Sequence, residues 1–333
     1  MIVTILIMIF AALLIYFSCE LFVNGIEWVG KVFKISQSAV GSILAAFGTA
    51  LPESIVTFIA VVFGANSSQK DIGVGAALGG PLVLSTLAYA IVGISIVIFS
   101  NRRKVGSCIK VNSEKLARNQ VWFMAIFVFK IGLGLVAFSI KPWLGPLFLI
   151  AYGVYFYKEM NAEAVASEGE LEPLKFSPKS INPKKALILL QTMISLIFIF
   201  IGSQVFVHNL DTLSVLFRIP PHIVSLLLSP IATELPETLN ALIWVRQGKE
   251  DLAFGNISGS MMIQATVPSA LGIMFTPWML DNSLILSAVI TFISILVIWI
   301  TLKRRCLTAK RLSFNVVLYT VFIAGIIFIK GTM

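Results

Sequence analysis

The feature that most constrains this chain is a series of long apolar stretches separated by short polar segments. We count ten stretches of about 18 or more mostly apolar residues, each long enough to cross a bilayer as an α-helix. They cover roughly residues 1–20, 38–63, 72–100, 119–139, 141–158, 184–207, 222–246, 251–275, 282–302 and 312–330. Hydrophobic residues make up 58% of the 333 residues and charged residues 12%, which excludes an ordinary soluble domain. The sequence therefore predicts an all-α polytopic membrane protein.

The N-terminal stretch and the cysteines exclude two other classes of chain. The stretch lacks a basic start and an A-x-A cleavage site, so we expect a retained span rather than a signal peptide. The three cysteines, Cys19, Cys108 and Cys306, are scattered and odd in number. They predict neither a disulfide framework nor a zinc site.

The positive charge of the chain is concentrated in alternate loops. If the N-terminus lies outside, the loops then inside carry 20 Lys and Arg residues, and the outside loops and C-terminus carry four. Cytoplasmic loops of membrane proteins are enriched in Lys and Arg, so this bias predicts a plasma-membrane protein with both termini outside. The net charge of +9 is therefore interpreted as topology and not as a nucleic-acid-binding surface.

The chain contains an internal repeat. At a constant offset of 184, residues 20–53 align with 204–237, and both segments end in T-x-L-P-E. A D-x-x-x-G-x-x-x-G pattern follows in each copy, at 71–79 and 251–259. Because each repeat holds five predicted spans, an odd number, the second copy is inverted, as in many secondary transporters. We predict a first repeat at 1–158, a flexible cytoplasmic linker at 159–183 and a second repeat at 184–333.

Each T-x-L-P-E motif places a carboxylate near the middle of a span, at Glu53 and Glu237. An ionised carboxylate there costs at least about 2.5–3.5 kcal/mol, so it is expected to face a cavity, a partner or an ion. The preceding prolines remove backbone donors, which loosens carbonyls such as those of Thr49 and Thr233. Hard cations such as Ca²⁺ bind about 6–8 such oxygens. The alternative is that each glutamate pairs with a basic group, with Lys130 near the right depth, or is protonated.

Polar and small residues follow each motif on the next predicted helix. Asn256, Ser260 and Gln264 recur every four residues and so share one face, which lines an ion site or forms interhelical hydrogen bonds. Glycines at the same spacing allow close helix packing, and the glycine-rich GVGAALGG also predicts an irregular start to the third span. Asp71 and Asp251 are interpreted as N-terminal helix caps.

The motifs GTALPE and IATELPE, each followed by a G-x-x-x-G helix, resemble those of the sodium/calcium exchanger family of cation/calcium antiporters. The resemblance covers nearly the whole chain, as a divergent prokaryotic-type member. It implies that Na⁺ entry drives Ca²⁺ extrusion by alternating access through one central site. It also implies a calcium-binding core of the Glu53 and Glu237 side chains and the Thr49 and Thr233 backbone oxygens. The ions are then substrates of a membrane-embedded carrier, and no cofactor is expected.

The residues around this core depart from the family pattern. The serine that follows threonine in the family is Ala50 in the first repeat and Glu234 in the second. The first G-N-x-x-G-S is GAALGG at 75–80, and Leu84 and Gln264 stand where the family has a polar or acidic residue. In the family these positions help to form sodium sites. We therefore hypothesise that protons replace some or all of the sodium, and exchange that follows the Na⁺ gradient but ignores pH would contradict this.

The motifs that the sequence lacks argue against several functions other than a cation antiporter. The chain has no HExxH or GxGD motif, and its two histidines, His208 and His222, lie near span ends, which argues against an intramembrane enzyme. It also has no P-loop, so neither a nucleotide partner nor a primary pump is expected. A cation channel and a non-transporting sensor or scaffold remain as alternatives. The sequence thus predicts a secondary active antiporter for Ca²⁺ or another divalent cation against Na⁺ or H⁺.

Overall fold

The computed structural model describes residues 2–33, 50, 53–54, 57–58, 60–64, 67–100, 109, 111–160, 171–180, 182–217, 219–304 and 307–331. The α-helices in these ranges are α1 (Ile2–Val32), α2 (Ser67–Val83), α3 (Tyr89–Ile98), α4 (Ser113–Leu135), α5 (Gly145–Met160), α6 (Lys185–Phe217), α7 (Pro221–Thr233), α8 (Leu235–Gln247), α9 (Glu250–Phe275), α10 (Asn282–Lys303), α11 (Ala309–Ser313) and α12 (Asn315–Gly331). A π-helical turn at Leu84–Ala88 joins α2 to α3, and a 3₁₀ turn at Lys141–Leu144 precedes α5. The described residues form no strand, and the all-helical class is confirmed.

Within the described ranges, seven helical segments are long and apolar enough to cross a membrane. They are Ile2–Val32, Lys70–Ile98, Ser113–Leu135, Lys185–Gly202, Glu250–Phe275, Asn282–Lys303 and Ala309–Ile329. Of the other predicted spans, 38–63 lies mostly outside the described residues. The span 141–158 contains the short α5 of 16 residues, and 222–246 is divided at Glu234 into α7 and α8, of 13 residues each. The count of ten spans therefore stays a prediction.

The helices surround α9, which packs against α2, α4, α5 and α8 and is buried along most of its length. The long helices α1 and α6 lie along each other at one side of the bundle, and α2 packs along α7. At the periphery, α1 and α12 expose large apolar side chains, as helices that face lipid do. This arrangement places α8, which begins within the second T-x-L-P-E motif, beside α9, and Ala50 of the first motif packs with Ile263 of α9.

The helices α1 and α6 extend beyond the predicted spans 1–20 and 184–207, to 31 and 33 residues. They occupy equivalent positions in the two repeats, and they approach closely at Gly25. A Cβ atom at this glycine would lie 2.6 Å from the Thr192 Oγ1 atom. Polar residues such as Glu27 end the apolar stretch in the sequence, but the helix continues because tertiary partners satisfy them.

The glycine-rich segment at 73–80 is regular α-helix within α2, so the prediction of an irregular start to this span was wrong. Its glycines allow α7 to pack against the α2 backbone. A Cβ atom at Gly75 would lie 2.6 Å from the His222 carbonyl, and one at Gly79 would lie 2.8 Å from the Leu226 carbonyl. The glycines therefore serve close packing, which was the other interpretation of this segment.

Irregular backbone occurs one turn later, in the π-helical turn at Leu84–Ala88. This turn alters the normal i to i−4 hydrogen-bond pattern, so its carbonyls need other donors. The Ser85 carbonyl accepts from Ser294 Oγ at 2.6 Å and from Asn315 Nδ2 at 3.3 Å. These bonds connect the first repeat to α10 and α12 of the second.

Neither aspartate proposed as an N-cap has that role. Because α2 begins at Ser67, Asp71 lies inside the helix and is exposed. Lys249 occupies the N-cap position of α9, and Asp251 instead accepts a hydrogen bond from the backbone N–H of Asn112 at 3.1 Å. Asp251 therefore links α9 to the segment that precedes α4, and both N-cap predictions were wrong.

Part of the segment predicted to be a flexible linker is docked on α1 and α6. Trp28 Nε1 donates to the Glu172 carbonyl at 2.9 Å, and the Phe176 N–H donates to Gln191 Oε1 at 2.8 Å. Between them the Leu174 side chain is fully buried. These contacts hold residues 172–176 against the two helices. Residues 161–170 lie outside the described residues.

Pro81, inside α2, leaves the carbonyl of Ala77 without its usual helical donor, because proline has no backbone N–H. The fully buried Lys130 of α4 replaces that donor, and its Nζ lies 3.1 Å from the Ala77 oxygen. The described residues contain no ion pair of Lys130 with a carboxylate. This lysine therefore satisfies a helix break, and the geometry does not assign it as a counter-ion for Glu53 or Glu237.

We expect Lys130 and Pro81 to be energetically coupled. Lys130→Met should destabilise the wild-type chain more than a Pro81→Ala chain, because an alanine N–H at 81 can bond the Ala77 carbonyl itself. A buried carbonyl without a donor costs about 1–3 kcal/mol, so a coupling of about 1 kcal/mol is expected. Unfolding of the four chains in detergent measures it, with the exposed Lys303→Met as a control. Additive effects of the two substitutions would contradict this account.

The connection between α9 and α10 is tied to the start of α7 through Asp281. Its carboxylate accepts from the Leu284 N–H at 2.9 Å and from Ser283 Oγ at 2.7 Å, and it lies 2.9 Å from His222 Nε2. Partial burial alone would raise the pKa of Asp281. The bonds from His222, Leu284 and Ser283 outweigh it and hold the pKa at about 2, below the ordinary 3.8.

We therefore expect Asp281 to stabilise the fold in its ionised form. Because its pKa is lower when folded, this contribution is present above pH about 4 and is lost as the pH falls towards 2. Asp281→Asn should weaken the pH dependence of the melting temperature in that window. The exposed Asp71→Asn should leave it unchanged. Identical pH profiles for wild type and Asp281→Asn would refute the assignment.

Candidate cation-binding site

The site is built around a break between two helices of the second repeat. The helix α7 ends at Thr233 and α8 begins at Leu235, with Glu234 between them. Pro236 lacks a backbone N–H, so the Ala232 carbonyl loses its helical donor at this break. The interruption predicted from the proline and glutamate is therefore present, and it leaves backbone carbonyls beside two carboxylates.

The fold brings three buried carboxylates together. Glu53 and Glu237 are fully buried and Glu234 is 1% exposed. Glu234 lies close enough to both of the others to repel them electrostatically. The first repeat thus contributes one carboxylate and the second repeat contributes two, as expected if the inverted copies converge.

The polar stripe of α9 faces the two carboxylates of the second repeat. Ser260 Oγ donates to Glu237 Oε1 at 3.2 Å, and Asn256 Nδ2 donates to the Glu237 carbonyl at 3.3 Å. Gln264 Nε2 donates to Glu234 Oε1 at 2.6 Å. All three side chains are fully buried. The stripe therefore positions the carboxylates, and it also forms the interhelical hydrogen bonds named as its alternative role.

Of the two motif threonines, the structure describes Thr233 but not Thr49. The Thr233 hydroxyl donates to the Ser229 carbonyl at 3.1 Å and lies 3.3 Å from Glu234 Oε1. Its position at the end of α7 is next to the helix break. Thr49 lies outside the described residues, so its role as a backbone ligand stays a prediction.

Several buried polar atoms around this cluster have no hydrogen-bond partner in the described part of the chain. They are both carboxylate oxygens of Glu53, Glu234 Oε2, Asn256 Oδ1, Gln264 Oε1, Ser229 Oγ, Thr57 Oγ1, and Oδ1 and Nδ2 of Asn240. A buried polar group without a partner costs about 1–3 kcal/mol, so such a concentration points to a ligand that satisfies them. All but one of these atoms carry lone pairs, which suit a cation.

The type of oxygen available decides which cation fits. Within the described ranges, no group of three or more His, Cys, Asp and Glu side chains forms a metal site by itself. Amide, hydroxyl and backbone oxygens must therefore complete any coordination shell. Mixed shells of this kind, with carboxylates and neutral oxygens, are those preferred by Ca²⁺ and similar hard cations.

Sequence reasoning missed Thr57, Ser229 and Asn240. Each lies about one helical turn from a residue of a T-x-L-P-E motif, which places it on a neighbouring part of the same face. A polar residue at that spacing within an apolar segment is the signal that was available. It was overlooked because these side chains carry no charge.

The two repeats contribute different side chains around the glutamates. Gly80 corresponds to Ser260 in the alignment, and a Cβ atom at Gly80 would lie 2.6 Å from Gln264 Oε1 and 3.0 Å from Glu234 Oε1. The missing side chain thus makes room for the bond between Gln264 and Glu234. The buried Ala50 of the first repeat corresponds to Glu234. Among the described residues, the side chains that hydrogen-bond to the cluster glutamates come from the second repeat.

We expect a side chain at position 80 to break the contact between Gln264 and Glu234. Gly80→Ala should lower the melting temperature in detergent, because Gln264 must move, and Gln264→Ala should relieve most of the effect. A coupling of about 1 kcal/mol is expected for residues in direct contact. Gly153→Ala is the matched control, since nothing lies within 4 Å of a Cβ atom there. Equal effects of Gly80→Ala with and without Gln264 would contradict this packing.

Comparison with known proteins agrees with this architecture. The family model of the sodium/calcium exchanger protein matches residues 3–158 and 187–329. The uncharacterized membrane protein MJ0091 of Methanocaldococcus jannaschii is 24% identical over 285 residues, 85% of each chain. CaxA, a proposed antiporter of Alkalimonas amylolytica, is 26% identical over 289 residues, 84% of this chain and 83% of CaxA.

A solved structure shares the fold. The sodium-calcium exchanger NCX_Mj, in crystals soaked with 2.5 mM Na⁺ and 10 mM Sr²⁺, superposes with a TM-score of 0.73 at 21% identity. The match covers 97% of this chain and 98% of the exchanger. Since the family model covers both repeats, the chain belongs to the sodium/calcium exchanger protein family.

Proposed function

We propose that this chain is a secondary active antiporter that exchanges Ca²⁺ or another divalent cation for Na⁺ or H⁺ by alternating access. The observation that carries the proposal is the cluster of Glu53, Glu234 and Glu237, buried next to polar atoms without partners. When they are ionised, carboxylates buried within a membrane bundle require a counter-charge. In the proposed antiporter, a bound cation would supply that charge at this cluster.

A divalent cation fits the core of this site. Glu53 and Glu237 together balance two positive charges, and the Thr49 and Thr233 carbonyls would add neutral oxygens. Ser260 and Asn256 hold Glu237 in place through its side chain and its backbone. The presence of Sr²⁺ with the related exchanger fold and the proposed antiport activity of CaxA support the same class of substrate.

The proposed mechanism uses the inverted repeats. Units 1–158 and 184–333, joined by the linker 159–183, would expose the site in turn to each side of the plasma membrane. The helix break at Glu234 allows local movement, because α7 and α8 are not joined by a continuous set of helical hydrogen bonds. Both termini would lie outside, with the basic loops in the cytoplasm. The partners are then the lipid bilayer and inorganic cations.

The side chains around the core bear on whether Na⁺ or H⁺ is the coupling ion. Glu234 and Gln264 hydrogen-bond each other, and Ala50, Gly80 and Leu84 offer no side-chain oxygen on the first-repeat side. The oxygens that would coordinate sodium in the family are thus fewer here. Sodium and protons are therefore compared directly in the test.

Uptake of ⁴⁵Ca²⁺ into proteoliposomes tests the proposal. Vesicles carry an outward Na⁺ gradient or an outward proton gradient, with wild type, Glu237→Gln or the exposed Glu114→Gln. We expect gradient-driven uptake in wild type and in Glu114→Gln. Glu237→Gln should reduce it by about tenfold or more, since loss of a charged ligand costs at least about 1.4 kcal/mol.

Each outcome has a distinct meaning. Uptake driven by sodium shows a working sodium site despite the altered side chains, and uptake driven only by protons assigns the exchange to H⁺. Ca²⁺ flux that runs only down the Ca²⁺ gradient, and that neither the Na⁺ nor the proton gradient can drive uphill, indicates a channel. No uptake under either gradient, with Glu237→Gln indistinguishable from wild type, removes calcium exchange and favours another ion or a sensor or scaffold.

A further inference from the structure

A row of buried side chains runs along α8 away from the carboxylate cluster. Glu237, Asn240 and Trp244 are spaced by three and four residues, so they share one face of the helix. All three are fully buried. The row leads towards Arg246 and Lys249, whose charges predict the cytoplasmic side.

Within this row, Asn240 has no assigned role in the candidate site described above. Neither its Oδ1 nor its Nδ2 has a hydrogen-bond partner among the described residues, although the side chain is fully buried. It lies about 4.5 Å further along the helix axis than Glu237, at about 1.5 Å per residue. An amide oxygen there can bind a cation that has left, or is approaching, the glutamate.

The row ends at a contact between α8 and α1. Trp244 Nε1 donates to Glu27 Oε1 at 3.0 Å, and Lys249 Nζ lies 2.8 Å from the same oxygen. Trp244 is among the largest fully buried side chains of the protein. Along α8, the indole therefore lies between Asn240 and the end of the helix at Gln247.

Beyond this contact lies an open cleft of about 340 Å³. Glu27 lines the cleft together with Glu20, Asn24, Arg246 and Gln247. The same carboxylate therefore meets the surface cleft on one side and Trp244 on the other. From the surface cleft inward, Glu27, Trp244, Asn240 and Glu237 therefore follow one another towards the carboxylate cluster.

We propose that this row is the cytoplasmic access route of the cation, that Asn240 is a further cation ligand on it, and that Trp244 with Glu27 and Lys249 is its gate. The inference rests on the proposed antiport function. It is specific to one end of the molecule, because Val56 occupies the position equivalent to Asn240 in the first repeat. The gate can open by separating α1 from α8, since α1 packs mainly along α6.

Cysteine accessibility tests the route without relying on transport. In a chain with Cys19, Cys108 and Cys306 replaced by serine, Asn240→Cys is treated with a membrane-impermeant thiol reagent from either side in separate vesicle preparations. We expect labelling from the side of Arg246 and Lys249, accelerated at least tenfold by Trp244→Ala. Leu242→Cys, on the opposite face of α8, is the matched control and should not respond to Trp244→Ala.

A second variant guards against misfolding at position 244. Trp244→Phe keeps most of the side-chain volume but removes the hydrogen bond to Glu27, and it should accelerate labelling of Asn240→Cys to a smaller degree. Saturating Ca²⁺ should slow this labelling. Labelling only from the opposite side, or rates that ignore both substitutions in a folded protein, would overturn the route.

Transport measurements separate this inference from the proposed function. If wild type exchanges cations, Asn240→Leu should lower the rate by about tenfold while Asn240→Asp retains transport. Unchanged exchange in Asn240→Leu would refute the ligand role and leave the antiport function intact. If wild type shows no exchange but the labelling follows the expected pattern, the antiport proposal fails and the access route stands.

Discussion

Three glutamates, Glu53, Glu234 and Glu237, are buried in one cluster, and the surrounding structure must stabilise their carboxyl groups. Charged groups in an apolar bundle need hydrogen-bond donors and counter-charges. Donors come from the α9 stripe, where Ser260 and Gln264 reach two of the carboxylates. In the proposed antiporter, a transported cation would supply the counter-charge.

Prolines inside the helices leave backbone carbonyls without their helical donors. In lipid, every such carbonyl must find another hydrogen-bond donor within the protein. Pro81 frees the Ala77 carbonyl, which accepts from Lys130. Pro268 frees the Gln264 carbonyl, which accepts from Ser269 Oγ at 3.2 Å. These side chains make local breaks tolerable without water.

Local patterns predicted most of the architecture but misjudged several segments. The apolar runs, the inverted repeat and the break at Pro236 were read from residue type and spacing alone. The glycine segment at 73–80 was expected to be irregular, yet packing against α7 stabilises it as helix. The first span was predicted to end near residue 20, but α1 extends to Val32 and includes the buried Glu27. Its partners, Trp244 and Lys249, are more than 200 residues distant in sequence.

By itself, the sequence determined the membrane class, the two inverted copies and the placement of one glutamate in each, because these depend on hydrophobicity and local backbone chemistry. Tertiary structure decided which polar groups meet. The bond between Gln264 and Glu234 exists because Gly80, on a helix of the other repeat, leaves space for it. The burial of Asn240 and the contact of Trp244 with Glu27 likewise arise only where separate helices pack. Burial and partner choice are properties of the assembled bundle, since they depend on distances that no single segment contains.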